Sequence, residues 1–281
     1  MRKEKWIICI TIIAAFFFYP TASIAGTFIG GAKGWYASWE SSVLKWFEKD
    51  IAAGFQEMGM TLNTKRDPGS GYLLGPLLSY QTDDAKWSFS FAPMIFSSFS
   101  QDWSGTASGM ALQSTVELER KDYDLAANYS LFKNMKVFVG YKHQVVNMDF
   151  TLTYDTSMGP NTFYYTLEST VMMPTAGVGF AYPISDKLAG GLQLGLLYSI
   201  PTLKMNVISG GTSQTTDLDP YPSLGFNGEV SLNYQPMESF FIQLGYRYQI
   251  FQLQTRSEQR WEKTKSNDIT HGIVLSVLYV F

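Results

Sequence analysis

Residues 224–250 run LGFNGEVSLNYQPMESFFIQLGYRYQI. Taken in twos, Leu224, Phe226, Gly228, Val230, Leu232 and Tyr234 share one side of an extended chain, and Gly225, Asn227, Glu229, Ser231 and Asn233 share the other. After the polar turn QPMES (235–239) the pattern resumes, with Phe240, Ile242, Leu244, Tyr246, Tyr248 and Ile250 set against Gln243, Gly245, Arg247 and Gln249. Successive strand residues point to opposite faces, so this is a hairpin with one apolar and one polar face. Polar side chains at every second position need water or one another. Pairing Tyr234 with Ile242 across the turn sets Glu229 opposite Arg247.

The rest of the chain from Gly26 on repeats the pattern in about ten candidate strands. Tight turns rich in Asp, Asn, Ser and Pro stand at TDDAK (82–86), FKNM (132–135), ISDK (184–187) and QPMES. Longer or more polar links lie between them, at 39–69, about 104–112, about 157–162, about 210–220 and about 260–267. Short turns on one side and long loops on the other, with an even strand count, are the signature of a closed antiparallel barrel in a membrane. Aromatic residues make up 16% of the chain while the mean hydropathy is −0.04, as alternating strands require. Tyr80, Trp87, Tyr182, Tyr234, Phe240, Tyr279 and Phe281 flank the short turns or the end of the chain, where an interfacial aromatic girdle belongs. On the earlier hairpin, Leu131 opposite Val137 sets Asp124 across from Gln144 and diagonally within reach of Lys142. A periplasmic β-sandwich is the soluble alternative. Its strands average nearer six residues, whereas several runs here allow ten or more.

The last segment is HGIVLSVLYVF, with Ile273, Leu275, Val277, Tyr279 and Phe281 in one apolar row. It resembles the closing strand of outer-membrane barrels, which ends in an aromatic residue after alternating hydrophobics. That resemblance implies that this row is the assembly signal read by the barrel assembly machinery, and that the strand closes against GTFIGGAKGWY at the start. An open edge cannot be satisfied in hydrocarbon. Over residues 26–281 the chain resembles the small OmpA- or OmpW-like barrels in architecture, without a diagnostic motif. The expected fold is all-β: an up-and-down transmembrane barrel, ten strands favoured, eight or twelve possible, with outer-membrane lipid around it.

At the other end, MRKEKWIICITIIAAFFFYPTASIAG has Arg2, Lys3 and Lys5, an apolar run from Trp6 to Tyr19, Pro20, and Ser23 and Ala25 in a small-residue cleavage pattern. This is a secretory signal peptide over 1–25, too short to span as a helix, and 26–281 is expected to be the barrel domain. Export to the outer membrane of a Gram-negative cell follows. The single cysteine, Cys9, lies in the signal, so no Cys-based metal or redox site is expected. The formal charge is −3, and removing the signal leaves it more negative, which gives no argument for nucleic-acid binding. No cofactor or metal spacing is found.

Parity places Lys33, Arg120, Asp122, Asp124, Asn128, Lys142, Gln144, Asn227, Glu229, Gln243, Arg247 and Gln249 in the lumen. They either fill a narrow barrel with ion pairs or line a path for a small solute; about ten strands leave an interior barely wider than its side chains. The roughly 30-residue first loop far exceeds an ordinary connection. In it Val43, Trp46, Phe47, Ile51 and Phe55 recur at steps of three and four, with Ser41 or Ser42 as a cap, so a short amphipathic helix could act as lid or plug. Omptin proteases are similar in size and strand number and use paired aspartates with an Asp-x-His. Here His143 and His271 stand in no such motif, His271 has outward parity, and Asp217 with Asp219 is an acidic loop pair. No Ser–His spacing indicates a lipid-modifying site. The sequence therefore favours a narrow channel or solute-binding barrel gated by the first loop and no enzyme. A filled barrel acting through its surface is the alternative, and a rim enzyme the third.

Overall fold

The computed structural model describes residues 26–281 apart from 58, 60, 67, 102, 108–109, 157–158, 210–211, 219 and 257–262. The signal-peptide expectation for 1–25 lies outside the described residues. The elements are β1 (Gly26–Glu40), α1 (Ser42–Glu57), β2 (Leu62–Arg66), β3 (Gly69–Thr82), β4 (Trp87–Met94), β5 (Phe96–Ser100), β6 (Trp103–Ala107), β7 (Met110–Phe132) and β8 (Met135–Thr156). They continue as β9 (Gly159–Ser185), β10 (Leu188–Ser209), β11 (Thr212–Leu218), β12 (Ser223–Met237), β13 (Phe240–Arg256) and β14 (Lys263–Val280).

Ten wall positions close into one antiparallel barrel, in the order β1, β3, β4 with β5, β7, β8, β9, β10, β12, β13, β14 and back to β1. β4 and β5 are two halves of one position, interrupted at Ile95. The closing strand pairs with the first from Ile29↔Val280 to Glu40↔Ile269. Glu229 sits opposite Arg247, as the hairpin pattern requires. On the earlier hairpin the register differs from expectation by two residues. Tyr129, not Leu131, faces Val137, so Asp124 lies directly opposite Lys142 and Asp122 opposite Gln144. Half of the shift comes from the turn, which has only two residues (133–134) so that Phe132 faces Met135, and half from a one-residue irregularity between Ser130 and Phe132; alternation alone reveals neither.

The short turns lie where expected, at 83–86, 133–134, 186–187 and 238–239. In the first, Thr82 donates its hydroxyl to Asp84 (2.6 Å) and holds that carboxyl below its usual range, assisted by the Lys86 amide. The row Ile273, Leu275, Val277, Tyr279 and Phe281 points outward and is exposed. Trp87, Phe132, Tyr182, Tyr234 and Tyr279 ring the same end. At the other edge of the apolar band His143 stacks on Tyr141 and lies tilted against Tyr123 on one hairpin, and His271 stacks on Tyr248 and lies tilted against Tyr246 on another.

Most of the expected long links are strand. β9 has 27 residues; at about 3.3 Å per residue and a tilt of about 40° it rises roughly 70 Å against an apolar band of about 25 Å. β11 folds back on β10 from Ser209↔Thr212, and β6 bridges β2 and β7. This tall extracellular wall follows from an inversion of the amphipathic pattern. On β7, Tyr123, Leu125 and Leu131 face out while Asp122, Asp124 and Asn128 face in; above Arg120, Leu112, Val116 and Leu118 face in while Glu117 and Glu119 face out. On β8, Val139 and Tyr141 face out below, whereas Val146, Met148, Phe150 and Leu152 face in above. On β7 and β8 the parity above Arg120 and Lys142 is the same as below; the solvent is what changes. Lipid surrounds the lower half, and water surrounds the upper half.

Candidate functional site

Where the pattern inverts, a belt of charge crosses the lumen. Arg247 on β13 donates from Nε to Glu229 Oε2 (3.1 Å) and from Nη1 to Asp124 Oδ2 (3.0 Å). β7 and β13 are five positions apart in a wall of ten, so the Arg247–Asp124 bridge joins opposite walls. Lys142 lies 3.1 Å from Asp124 Oδ1 as an ion pair outside hydrogen-bond geometry, and donates to Gln249 Oε1 at 3.1 Å, again across the lumen. Gln249 reaches on to the Met173 sulfur at 3.9 Å. Gln243 donates to Glu229 Oε1 at 3.2 Å. Lys33 lies in the electrostatic field of Arg247, Glu229 and Asp124, and Arg247 lies over the Trp35 ring, 5.3 Å from its centroid. Breaking one partner of such a buried pair strands the other, at about 3–5 kcal/mol.

Just above, Arg120 is fully buried. It grips Asp122 with two parallel bonds of 2.9 and 2.8 Å and donates to Thr270 Oγ1 at 2.9 Å. Its guanidinium lies 4.9 Å from the Trp39 ring and 5.6 Å from Trp35, a stacking that a planar cation favours. Asp268 then ties the first loop to the wall. It accepts from Trp39 Nε1 (3.0 Å), from the Ser42 amide (3.1 Å) and from the Ser42 hydroxyl (3.2 Å). Ser41 caps the helix by accepting the Leu44 amide on its hydroxyl at 3.3 Å. A carboxylate and a serine at a helix start satisfy amides that have no partner within the helix.

The first loop thus contains the expected helix, and it is part of the mouth. Val43, Leu44, Ile51 and Phe55 are buried in one cluster with Trp35, Trp39, Phe99, Leu118, Met148, Phe150, Leu152, Leu167, Leu203 and Leu253. Trp46 and Phe47 belong to α1, but their side chains lie outside the described set. The upper barrel is therefore filled like the core of a soluble domain, with about 2–5 kcal/mol resting on each large side chain. We expect Asp268→Ala to release α1: trypsin cuts at Lys45 or Lys49 should become at least about tenfold faster, consistent with loss of more than one buried hydrogen bond at about 1 kcal/mol each. Unchanged cleavage would mean that the apolar face alone holds the helix.

The structure brings together Lys33, Asp124, Lys142, Glu229, Gln243, Arg247 and Gln249 in the belt, and Arg120 with Asp122 above it. Gln144 is buried opposite Asp122, with Oε1 lacking a protein partner. Asn128 turns down to Ser88 (3.3 Å). Sequence reasoning missed Trp35, Trp39, Asp268 and Thr270. The signal was available, since Trp35 and Trp39 share the parity of Lys33, and Asp268 and Thr270 lie opposite to the lipid-facing row. Both histidines are on the outer surface; His271 Nδ1 is 2.7 Å from the Tyr246 hydroxyl. Asp217 pairs in register with Lys204, and Asp219 lies outside the described residues. Among the described residues no cluster of three or more His, Cys, Asp or Glu forms a metal site.

Residues 115–276 match a family described as "Putative outer membrane beta-barrel porin, MtrB/PioB". No curated protein sequence matches the chain. Among solved structures, the outer membrane protease OmpT from Escherichia coli superposes with a TM-score of 0.52 at 11% identity, over 92% of this chain and 99% of its own. The translocator domain of the autotransporter NalP from Neisseria meningitidis gives 0.50 at 8% identity, over 99% and 95%. These two likenesses concern fold alone. With the family match they establish a porin-like barrel of the outer membrane.

Proposed function

We propose that this chain, which belongs to the MtrB/PioB family of outer-membrane β-barrel porins, is held closed along its axis and acts at the cell surface through its extracellular wall. The observation that supports this is the Arg247–Asp124 bridge between opposite walls, roofed by the apolar cluster that includes α1. A path for solute would have to break both. Outer-membrane lipid is the partner of the outward apolar band, and the barrel assembly machinery the partner of the row from Ile273 to Phe281. Protein purified from membranes and inserted into planar bilayers should give no reproducible single-channel steps. Steady steps from the intact protein would overturn this reading.

A second reading is a gated channel or solute-transport barrel. It is favoured by the way α1 is pinned at its start by one carboxylate, Asp268. Under that reading Asp268→Ala conducts while the parent does not. Under the first, the belt keeps both silent.

A further inference from the structure

The lipid-facing wall has a notch at Gly34. On the outward face of β1, Gly34 stands between Leu74 of β3 and Leu275 of β14, and Tyr36, next along the same face, stands between Tyr72 and Ile273. Elsewhere in the band, neighbouring rings cover such gaps. A Cβ on Gly30 would meet the Phe281 ring at 3.1 Å, and one on Gly228 the Phe226 ring at 3.0 Å. A Cβ on Gly34 would meet nothing closer than Leu74 Cδ1 at 3.5 Å. What remains is a cavity of about 250 Å³, walled by Tyr36, Tyr72, Leu74, Ile273 and Leu275.

The notch sits at the extracellular edge of the apolar band. Tyr36 and Tyr72 face each other directly across β1 and β3, and both are more than half exposed. Neither hydroxyl has a hydrogen-bond partner among the described residues. One step higher on the same face, Ser38 stands between Ser70 and His271, and His271 is bonded to Tyr246 at 2.7 Å. An apolar slot therefore lies below a tier of hydroxyls and an imidazole. That is the profile of one lipid molecule, tail below and headgroup above, with tyrosines at headgroup level.

We propose that this notch is a specific lipid site, which holds one acyl chain of an outer-leaflet lipid and places its headgroup against the Tyr36 and Tyr72 hydroxyls. The volume falls below the roughly 300–1,000 Å³ of sites that take a whole small molecule, and suits a length of tail. A tail gains no hydrophobic driving force from leaving other tails, so close packing decides where it rests. At Gly34 it can sink between two leucines instead of lying on top of them. A second copy of the chain would need a continuous face of roughly 800 Å², which the protruding tyrosines interrupt. The site rests on the outward band facing lipid and is independent of whether the lumen is closed.

Native mass spectrometry of the protein in mild detergent, with lipid A added in steps, tests this. The first lipid should bind at least about tenfold more tightly than those that follow. Gly34→Leu fills the notch and should abolish that preference. The variant should keep the parent's heat-modifiable mobility, because Gly34 has no positive φ and its Cβ has room. Val139→Leu, exposed on another part of the band, should bind as the parent does. Tyr36→Phe with Tyr72→Phe removes only the two hydroxyls and should weaken the first lipid about fivefold. Equal affinities for successive lipids, or a preference that survives Gly34→Leu or the double tyrosine variant, would overturn the proposal. So would a dimer that disappears in Gly34→Leu, which would make the notch a contact between copies. The lipid-facing reading of the band is tested separately, by Val230→Lys.

Discussion

Leu152→Lys collapses the extracellular half of the barrel, whereas Thr151→Lys, one residue away, leaves it standing. Leu152 is fully buried in the mouth cluster, and Thr151 faces the other way on the same strand. A lysine at 152 loses the leucine's packing and strands a charge among apolar groups, so its cost should exceed the ~2–5 kcal/mol of a leucine-to-alanine truncation. Below the belt the rule reverses. Val230 points outward and is exposed, so Val230→Lys puts a charge into lipid at about 2–4 kcal/mol. Asn233→Lys, of inward parity, should cost little. Urea unfolding followed by tryptophan fluorescence, with proteolysis to locate the loss, reads all four. If Leu152→Lys and Thr151→Lys behave alike, the upper half is not a dry core.

Arg247→Ala should be the most damaging change in the belt. It removes the partner of Asp124 and of Glu229 together, and leaves two carboxylates facing each other's field with Lys142 and Lys33 as the remaining cations. A loss of about 3–5 kcal/mol is expected. The double variant Arg247→Met with Glu229→Gln should recover much of it, because Asp124 keeps Lys142 as its partner and the penalty lies mostly in stranded charge rather than in the lost bridge. A double variant as unstable as Arg247→Ala would show that the bridge itself, by tying opposite walls, carries the stability.

The lower barrel was legible in the sequence because one physical rule governs it. Apolar residues face lipid, polar residues face in, and the hairpin 224–250 carries that rule cleanly enough to fix Glu229 against Arg247 before any coordinates. The register of Asp124 was off by two because neither the tightness of the turn at 133–134 nor the one-residue irregularity beside Phe132 leaves a mark in the alternation. The wall above the membrane was hidden for a different reason. With water outside, Phe150 and Leu152 face inward at a parity that, lower on β8, points polar groups into the lumen; an unchanged parity with a changed solvent looks like a loop. The cross-lumen contacts could not be seen at all. Parity says that Arg247 and Asp124 both face in, but only the closure of ten strands makes them meet. The cap at Ser41 was local and therefore visible, whereas the tie of Ser42 to Asp268 spans 226 residues and was not.

The closed lumen is tested most directly by cysteine labelling, since the described residues hold no cysteine to interfere. Met148→Cys faces into the mouth, and Asp149→Cys faces out, one residue apart and at the same height. A small water-soluble thiol reagent added outside intact cells should modify the cysteine at 149 within minutes and leave the one at 148 untouched until the protein is unfolded. Equal labelling of both would mean that water fills the mouth, and the account of a barrel closed along its axis would be wrong.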